Sequence, residues 1–235
     1  MKLGIIGAMT VEVETLREHM KEVSAIERAG MTFYQGVLED VPAVVVVCGV
    51  GKVNAAMCVQ VLCDCFGVTH VINTGIAGSL CAELDIGDLV ISRDAMYHDF
   101  TCHDLNPNYA VGQVPGLSVI RFPADQKLIE CAEHAAQKTD TPHVRVGTVA
   151  SGDQFISNKE RQEQIIRDTG AYCTELEGAA IAHTAWRNDV PFVVIRAISD
   201  KADDSAQMDY PTFETIAARR CAAVTMEIAR SLARA

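Results

Sequence analysis

Acidic and basic side chains stand where buried strands of this sequence are predicted to end. The apolar run 192–195 leads directly into Arg196, and Asp200 follows four residues later. Glu12 follows the first apolar run and lies in the first turn of a predicted helix. Buried strands seldom carry charge, and ligands of open α/β sheets bind beyond the carboxyl ends of the strands. These three residues are therefore candidates for acid–base chemistry at one edge of a sheet.

Each of these residues also has a purely structural explanation, which the sequence leaves open. With Thr10 as the N-cap, Glu12 could be a solvated glutamate in the first turn of its helix. Arg196 and Asp200 share one face of an extended segment, where they could form a buried ion pair with each other.

A second acidic pair follows another predicted strand. Glu175 and Glu177 are two residues apart, so an extended segment places both on one face, with Leu176 opposite. Like charges on one face repel unless a ligand or a cation lies between them. The alternative is a strand end that opens into solvent.

The glycine and metal-ligand patterns argue against two common kinds of site. Gly7, Gly75 and Gly78 are predicted to lie in turns, but none belongs to a GxGxxG fingerprint, so we expect them to allow close backbone approach. The segment 98–104 (HDFTCHD) offers metal ligands, yet no second ligand pair of matching spacing occurs elsewhere in the sequence. We therefore expect no metal ion and no dinucleotide cofactor.

The elements that must position these residues alternate between strand and helix along the whole chain. This alternation predicts one α/β domain over residues 1–235, with helices on both faces of a largely parallel sheet. The least patterned segment is 97–118, and a loop of that length is usually functional or part of an interface. Strands are predicted at 2–7, 31–38, 43–49, 69–74, 87–92, 144–150, 171–176 and 191–198, and helices at 10–23, 53–66, 125–138, 159–168, 178–188 and from about Pro211 onward.

Composition narrows the classes of partner. The 235 residues carry a net charge of -11, which argues against nucleic acid and anionic membranes, because both select basic surfaces. No run approaches the ~18 uninterrupted apolar residues of a membrane span, and no secretory signal is visible. The nine cysteines are scattered through apolar stretches, as expected of free thiols. We therefore expect a cytoplasmic protein.

Taken in order, several motifs resemble one known family. The motifs GIIGAM, NTGIAGSL, GDLVIS, YHD, SGDQFI, ELEGAA and VPFVVIRAISDKADD resemble the 5′-methylthioadenosine/S-adenosylhomocysteine nucleosidases of the purine nucleoside phosphorylase superfamily. The resemblance covers nearly the whole chain. It implies a three-layer αβα sandwich around a mixed, twisted sheet, assembled as a homodimer. It also implies hydrolysis of the bond between adenine and a 5′-thio-substituted ribose, in methionine salvage, without a cofactor or metal.

The resemblance also implies roles for particular residues. Asp200 matches the acid that protonates adenine at N7, and Glu12 matches the base that activates water. Arg196 would orient that water, and Glu177 would accept hydrogen bonds from the ribose hydroxyls.

Further positions match the walls of the family's substrate pocket. Phe155 and Ile156 match the adenine wall, and Ser199 is a further substrate-binding position. Met9, Val50 and Tyr210 match the pocket for the 5′ group. This chain departs from the commoner pattern at Ile76 (serine in many members), Leu176 (methionine) and Tyr210 (phenylalanine), which leaves the preferred 5′ group open.

Three other functions are weaker alternatives. A phosphorylase of the same fold would need cationic phosphate ligands, but the N-terminal turn has no GDPxR-like sequence and Asn73 stands where an arginine would be expected. Hydrolysis of 6-amino-6-deoxyfutalosine or 5′-deoxyadenosine would use the same acid and base. A nucleoside-binding protein without turnover would not need Glu12 and Asp200.

Overall fold

A mixed β-sheet forms the centre of the molecule. The computed structural model describes residues 1–234, in which both the sheet and the helices lie close to their predicted places. The strands are β1 (Leu3–Gly7), β2 (Lys21–Arg28), β3 (Met31–Leu38), β4 (Val41–Val47), β5 (His70–Ser79), β6 (Leu89–Tyr97), β7 (Phe122–Pro123), β8 (Val144–Ser151), β9 (Cys173–Glu175) and β10 (Phe192–Asp200). The helices are α1 (Thr10–His19), α2 (Lys52–Phe66), α3 (Gln126–Ala136), α4 (Lys159–Thr169), α5 (Gly178–Arg187) and α6 (Ala206–Ala233).

Part of this sheet closes on itself. The strand order is β10-β6-β8-β9-β5-β1-β4-β3-β2, and β10 also pairs with β5. Strands β1, β4, β5 and β10 run parallel, whereas β10 is antiparallel to β6 and β9 is antiparallel to β5. The closed part brings the ends of β5, β9 and β10 together.

Helices cover both faces of the sheet, which confirms the three-layer αβα sandwich. Helices α2 and α5 pack against one face, and α1, α3 and α6 pack against the other. Alternate side chains of β10 serve the two layers: Val193 and Ile195 face α6, whereas Val194 and Ile198 face α5. Every residue of β10 is buried, as expected for a strand covered on both faces. Because both helical layers share this sheet, we propose that the chain forms one domain.

Two predicted element boundaries were wrong. The helix predicted over 10–23 ends at His19, because Met20 is already extended, and β2 follows. Strand β2 is exposed along most of its length, so its sequence lacks the apolar alternation that marks a half-buried strand. Helix α6 begins at Ala206 rather than near Pro211, and the proline inside it costs one helical hydrogen bond.

Three central strands are longer than predicted, and their extra residues build the site. Strand β5 continues to Ser79, β6 to Tyr97 and β10 to Asp200. The extensions contain glycine or polar residues, which are poor strand signals in a sequence. None of the described helices in residues 1–234 has the length and apolarity of a membrane span.

Candidate active site

A cavity at the carboxyl ends of β1, β5, β9 and β10 brings together every predicted site residue except Arg196. These residues are Met9, Glu12, Val50, Ile76, Phe155, Ile156, Leu176, Glu177, Ser199, Asp200 and Tyr210. The cavity wall also contains Gly78 and Glu175, which the sequence singled out without a substrate-binding role, and Ala8, Ala77, Gln154 and Thr174, which it did not select. Most of these are sequence neighbours of selected residues, and adjacency was the only signal that could have found them.

Glu12 is buried and is held by backbone donors. Helix α1 is capped at Met9 rather than Thr10, which makes Glu12 the third residue of the helix. Its Oε2 accepts hydrogen bonds from the N–H groups of Ala8 (2.7 Å) and Met9 (3.0 Å), and its Oε1 accepts one from Ile76 (3.1 Å). Only 4% of Glu12 is exposed, so the solvated alternative was wrong. The half of a capping box that Glu12 forms also fixes its direction into the cavity.

The environment of Glu12 suits a general base. Burial raises the pKa of Glu12 above its usual value, and the Arg196 guanidinium and the three backbone donors oppose this shift. A carboxylate with a raised pKa is a stronger base than an exposed one.

Glycines of β1 and β5 leave the space that the acidic side chains occupy. A Cβ on Gly75 would lie 2.5 Å from Oε1 of Glu12, and a Cβ on Gly78 would lie 2.7 Å from Oδ1 of Asp200. Gly7 faces Val13 at 2.7 Å in the same way. The prediction that these glycines lie in turns was wrong, because they belong to β1 and β5, but the expected close approach is confirmed.

Asp200 is the last residue of β10, is buried and lines the cavity. Its Oδ2 accepts a hydrogen bond from the Ser199 hydroxyl, and its Oδ1 accepts one from the Ala202 N–H, both at 2.8 Å. Burial raises the pKa of Asp200 despite these two bonds, and Asp209 and Asp203 add to the increase. A carboxyl group with a raised pKa can keep a proton and donate it.

Arg196 pairs with Glu175 and not with Asp200. Its Nε and Nη2 both donate to Oε2 of Glu175, and Nη2 also donates to Oδ1 of Asn73. Arg196 is 2% exposed and lies beneath the cavity wall, so the structural alternative of a bridge to Asp200 was wrong. The predicted contact of Arg196 with a water in the cavity is not supported by this position. Arg196 instead contacts Glu175 and Asn73, and it acts on Glu12 only through its charge.

Glu175 is the acidic residue that binds this cation. Burial alone would raise the pKa of Glu175, but the Arg196 guanidinium and the Ser151 hydroxyl hold it below its usual range. Glu175 also accepts the N–H groups of Glu177 (3.1 Å) and Gly178 (2.8 Å) at the start of α5. The pair Arg196–Glu175 therefore fixes the end of β10 to the start of α5.

Glu177 lies beyond β9, at the N-cap of α5, and faces the cavity. Its Oε1 accepts the N–H of Gly51 at 2.8 Å. Burial raises the pKa of Glu177 to about 8, the charge of Glu175 adds to this increase, and Arg196 opposes it. The two glutamates that share one sequence motif thus have opposite pKa shifts, because only Glu175 contacts the guanidinium.

Aromatic and aliphatic side chains form the rim of the cavity. Phe155 is 49% exposed and Val50 is 53% exposed, although both line the cavity. The rings of Phe155 and Tyr210 meet edge to face at 5.5 Å. The Tyr210 hydroxyl donates to Oε1 of Glu214 (3.2 Å) and contacts Sδ of Met9 (3.4 Å).

In the segment 98–104, which offers possible metal ligands, Asp99 forms an ion pair. Asp99 binds Lys52 at 2.7 Å, and in the described part of the chain no three His, Cys, Asp or Glu side chains are arranged to hold a metal ion. All nine cysteines are free thiols.

The buried Glu177 predicts a pH-dependent gain of stability for Glu177→Gln. The pKa of Glu177 is about 8 in the folded chain and about 4.5 when unperturbed, as in an unfolded chain. The stability contributed by this group is therefore fully present below about pH 4.5 and is lost as pH rises to about 8. Glutamine carries no charge and keeps an acceptor for Gly51. The variant should melt at the wild-type temperature at about pH 4 and roughly 10 °C higher at about pH 8. Equal melting temperatures at the higher pH would contradict this assignment.

Comparison with known proteins places the chain in a family. The family model described as the phosphorylase superfamily matches residues 2–230. A 5′-methylthioadenosine/S-adenosylhomocysteine nucleosidase from Oceanobacillus iheyensis is 35% identical over 233 residues, which cover 99% of this chain and 100% of that protein.

Solved structures give the same result. The Neisseria meningitidis nucleosidase of this name, in complex with methylthio-immucillin-A, superposes with a TM-score of 0.94 at 38% identity, covering 98% of this chain and 99% of that one. A futalosine hydrolase from Helicobacter pylori superposes with a TM-score of 0.91 at 31% identity, covering 97% and 96% of the two chains. The chain therefore belongs to the phosphorylase superfamily and, within it, to the family of 5′-methylthioadenosine/S-adenosylhomocysteine nucleosidases.

Proposed function

We propose that this protein hydrolyses the N-glycosidic bond of 5′-methylthioadenosine and S-adenosylhomocysteine, releasing adenine and the 5′-thioribose. The observation that carries the choice of hydrolysis is the position of the Glu12 carboxylate. It occupies the backbone donors of Ala8, Met9 and Ile76, which converge at the start of α1.

These donors are the ones that an anionic co-substrate would need. The N-terminus of a helix binds phosphate through free N–H groups and the helix dipole. Here the carboxylate of Glu12 takes those N–H groups and would repel a phosphate dianion. Asn73, which stands where a phosphorylase would be expected to have an arginine, donates to the carbonyl of Ile6 and accepts from Arg196. Water is therefore the nucleophile that fits the site.

Glu12 and Asp200, two of the carboxyl groups with raised pKa values, divide the proton transfers between them. As the bond from C1′ of the sugar to N9 of adenine breaks, its electron pair passes to the base. Asp200 donates its proton to N7 of the departing adenine. Glu12 accepts a proton from the water whose oxygen forms the new bond to C1′. Both steps are general acid–base catalysis by carboxyl groups whose pKa values are raised above their usual values.

The charge of the site favours a cationic sugar in the transition state. Glu177 would accept hydrogen bonds from the ribose hydroxyls, and its ionised form, whose fraction grows as pH rises to about 8, would attract the positive charge that builds on the ring. Leu176 would contact the same sugar. The Ile76 N–H donates to Glu12, but its side chain has no hydroxyl to hold the water, unlike the serine that the family resemblance implies for many members.

The remaining wall residues suit an adenine base with an apolar 5′ group. Phe155 would stack on the adenine, and the backbone of Ile156 offers polar groups to its edge, beside Ser199. Met9, Val50 and Tyr210 would surround the 5′-thio substituent.

A futalosine-type substrate is the second candidate, because a futalosine hydrolase shares the fold and 31% of the sequence. The same acid and base would serve it. The two substrates differ in the 5′ group. In this chain the proposed pocket for that group contains the Tyr210 hydroxyl, which donates a hydrogen bond to Glu214. Comparing adenine release from both compounds separates the candidates.

We also propose a cytoplasmic homodimer in which the segment 97–118 completes the partner's cavity. Large apolar side chains are exposed around the cavity mouth, on α2 and in this segment, and such patches usually mark an interface. They are Val50 (53%), Val53 (71%), Met57 (40%), Leu105 (76%) and Phe155 (49%). Methionine salvage is the proposed role in the cell.

The dimer predicts that activity follows assembly. Sedimentation at assay concentrations should give twice the mass of the 25.4 kDa chain. A fully active monomer under those conditions would contradict the proposed role of the segment 97–118.

The choice of water over phosphate predicts the fate of isotopically labelled oxygen. In ¹⁸O-enriched water, the label should appear at C1 of the released sugar, at a rate that added phosphate leaves unchanged. Mass spectrometry of the sugar product checks this outcome. Formation of a sugar 1-phosphate when phosphate is added would contradict the proposed reaction.

A further inference from the structure

Lys52, which does not line the cavity, joins three loops that surround it. Lys52 is the first residue of α2, and its Nζ contacts both carboxylate oxygens of Asp99 at 2.8 and 2.7 Å. The same Nζ lies 3.6 Å from Oδ2 of Asp153. Asp99 follows β6, and Asp153 follows β8. One cation therefore bridges two acidic residues that come from different parts of the chain.

Backbone hydrogen bonds complete this clamp, which consists of Lys52, Asp99 and Asp153. The Lys52 N–H donates to Oδ1 of Asp153 at 2.9 Å, and the Asp153 N–H donates to Oδ2 of Asp99 at 2.9 Å. Helix α2 begins at Gly51, which has no side chain to cap it. Asp153 supplies the missing cap from another loop and also lies at the positive end of the helix dipole.

The clamp lies next to the residues that would bind substrate. Asp153 directly precedes Gln154, Phe155 and Ile156, all of which line the cavity. Residues 152–158 form neither helix nor strand, so few backbone hydrogen bonds hold the segment, such as that from Gly152 to the carbonyl of Glu175 (3.1 Å), and side-chain contacts add to them. On the other side of Lys52, the N–H of Gly51 holds Glu177 at 2.8 Å.

Partial burial makes these contacts stronger than those of a surface ion pair. The side chain of Lys52 is 22% exposed and that of Asp99 is 13% exposed. Lys52 also lies 5.5 Å from the centre of the Tyr97 ring, which attracts its charge. Without the ammonium group, Asp99 and Asp153 would face each other as two like charges, and the hydrogen bond from the Lys52 N–H to Asp153 would be left to join the segment that carries Phe155 to α2.

We infer that Lys52 is a positioning residue that holds the segment 153–156, and with it the adenine wall, against the cavity. This inference rests on the proposed function, because it assigns the wall to adenine. The clamp touches neither Glu12 nor Asp200. Its loss should therefore weaken binding of the base and leave the chemical step largely intact.

Lys52→Met tests the inference, because methionine keeps an apolar stem and removes the charge. KM for methylthioadenosine should rise about tenfold, as expected for lost hydrogen bonds to a charged group, while kcat stays within about twofold. The dissociation constant of adenine, measured by calorimetry, should rise by a similar factor. Lys52→Arg should restore most of the affinity. The matched control is Lys138→Met, because Lys138 is an exposed lysine in the turn after α3.

Asp99→Asn provides a second route to the same result. If Lys52 acts through Asp99, the double variant should bind adenine no more weakly than Lys52→Met alone. The inference is overturned if Lys52→Met changes KM no more than the control, if the loss falls on kcat, or if Lys52→Arg fails to restore binding. It is also overturned if the effect follows a change of mass in sedimentation. A wild-type protein that does not release adenine contradicts the proposed function instead, because that result does not depend on Lys52.

Discussion

Four buried carboxyl groups surround one cavity, and residues 1–234 contain a single buried guanidinium, that of Arg196, to neutralise them. Arg196 contacts Glu175 directly, and that carboxylate stays ionised. Glu12, Glu177 and Asp200 have no cation in contact, so burial raises the pKa of each. The shortage of positive charge therefore raises the pKa of these three groups, which lets Asp200 keep a proton to donate and makes the Glu12 carboxylate a stronger base.

The same shortage of positive charge explains how a fold shared with phosphorylases can favour water. An anion needs free donors or cations, but the donors at the start of α1 are bound to Glu12 and the guanidinium is bound to Glu175. A positively charged sugar meets the opposite situation, since the ionised forms of Glu12 and Glu177 in the cavity wall would attract it. The site thus stabilises the charge that develops on the substrate and leaves no place for a second anion.

The sequence predicted most of this arrangement because the acidic residues and their neighbours stand at strand ends. The alternation of strands and helices predicted the α/β class. The order of the motifs, through the family resemblance, predicted the residues of the cavity wall that the structure brings together. Strand β2 was not predicted, because its exposed residues show no apolar alternation. The pairing of Arg196 with Glu175 was not predicted either. Several acidic residues follow strands, and only the three-dimensional structure shows which of them contacts Arg196. Contacts such as that between Lys52 and Asp99 join loops 47 residues apart, which no local pattern can reveal.

The most direct test of this account is the dependence of kcat on pH for the wild type and for Asp200→Asn. Asparagine has nearly the same size but cannot donate a proton to the departing base. The wild type should lose activity at alkaline pH, at a value set by the raised pKa of Asp200. The variant should remain folded, lose about 10²–10⁴ in kcat and lack this alkaline limb. A variant with near-normal kcat, or with the alkaline limb intact, would contradict the role of Asp200 as the acid.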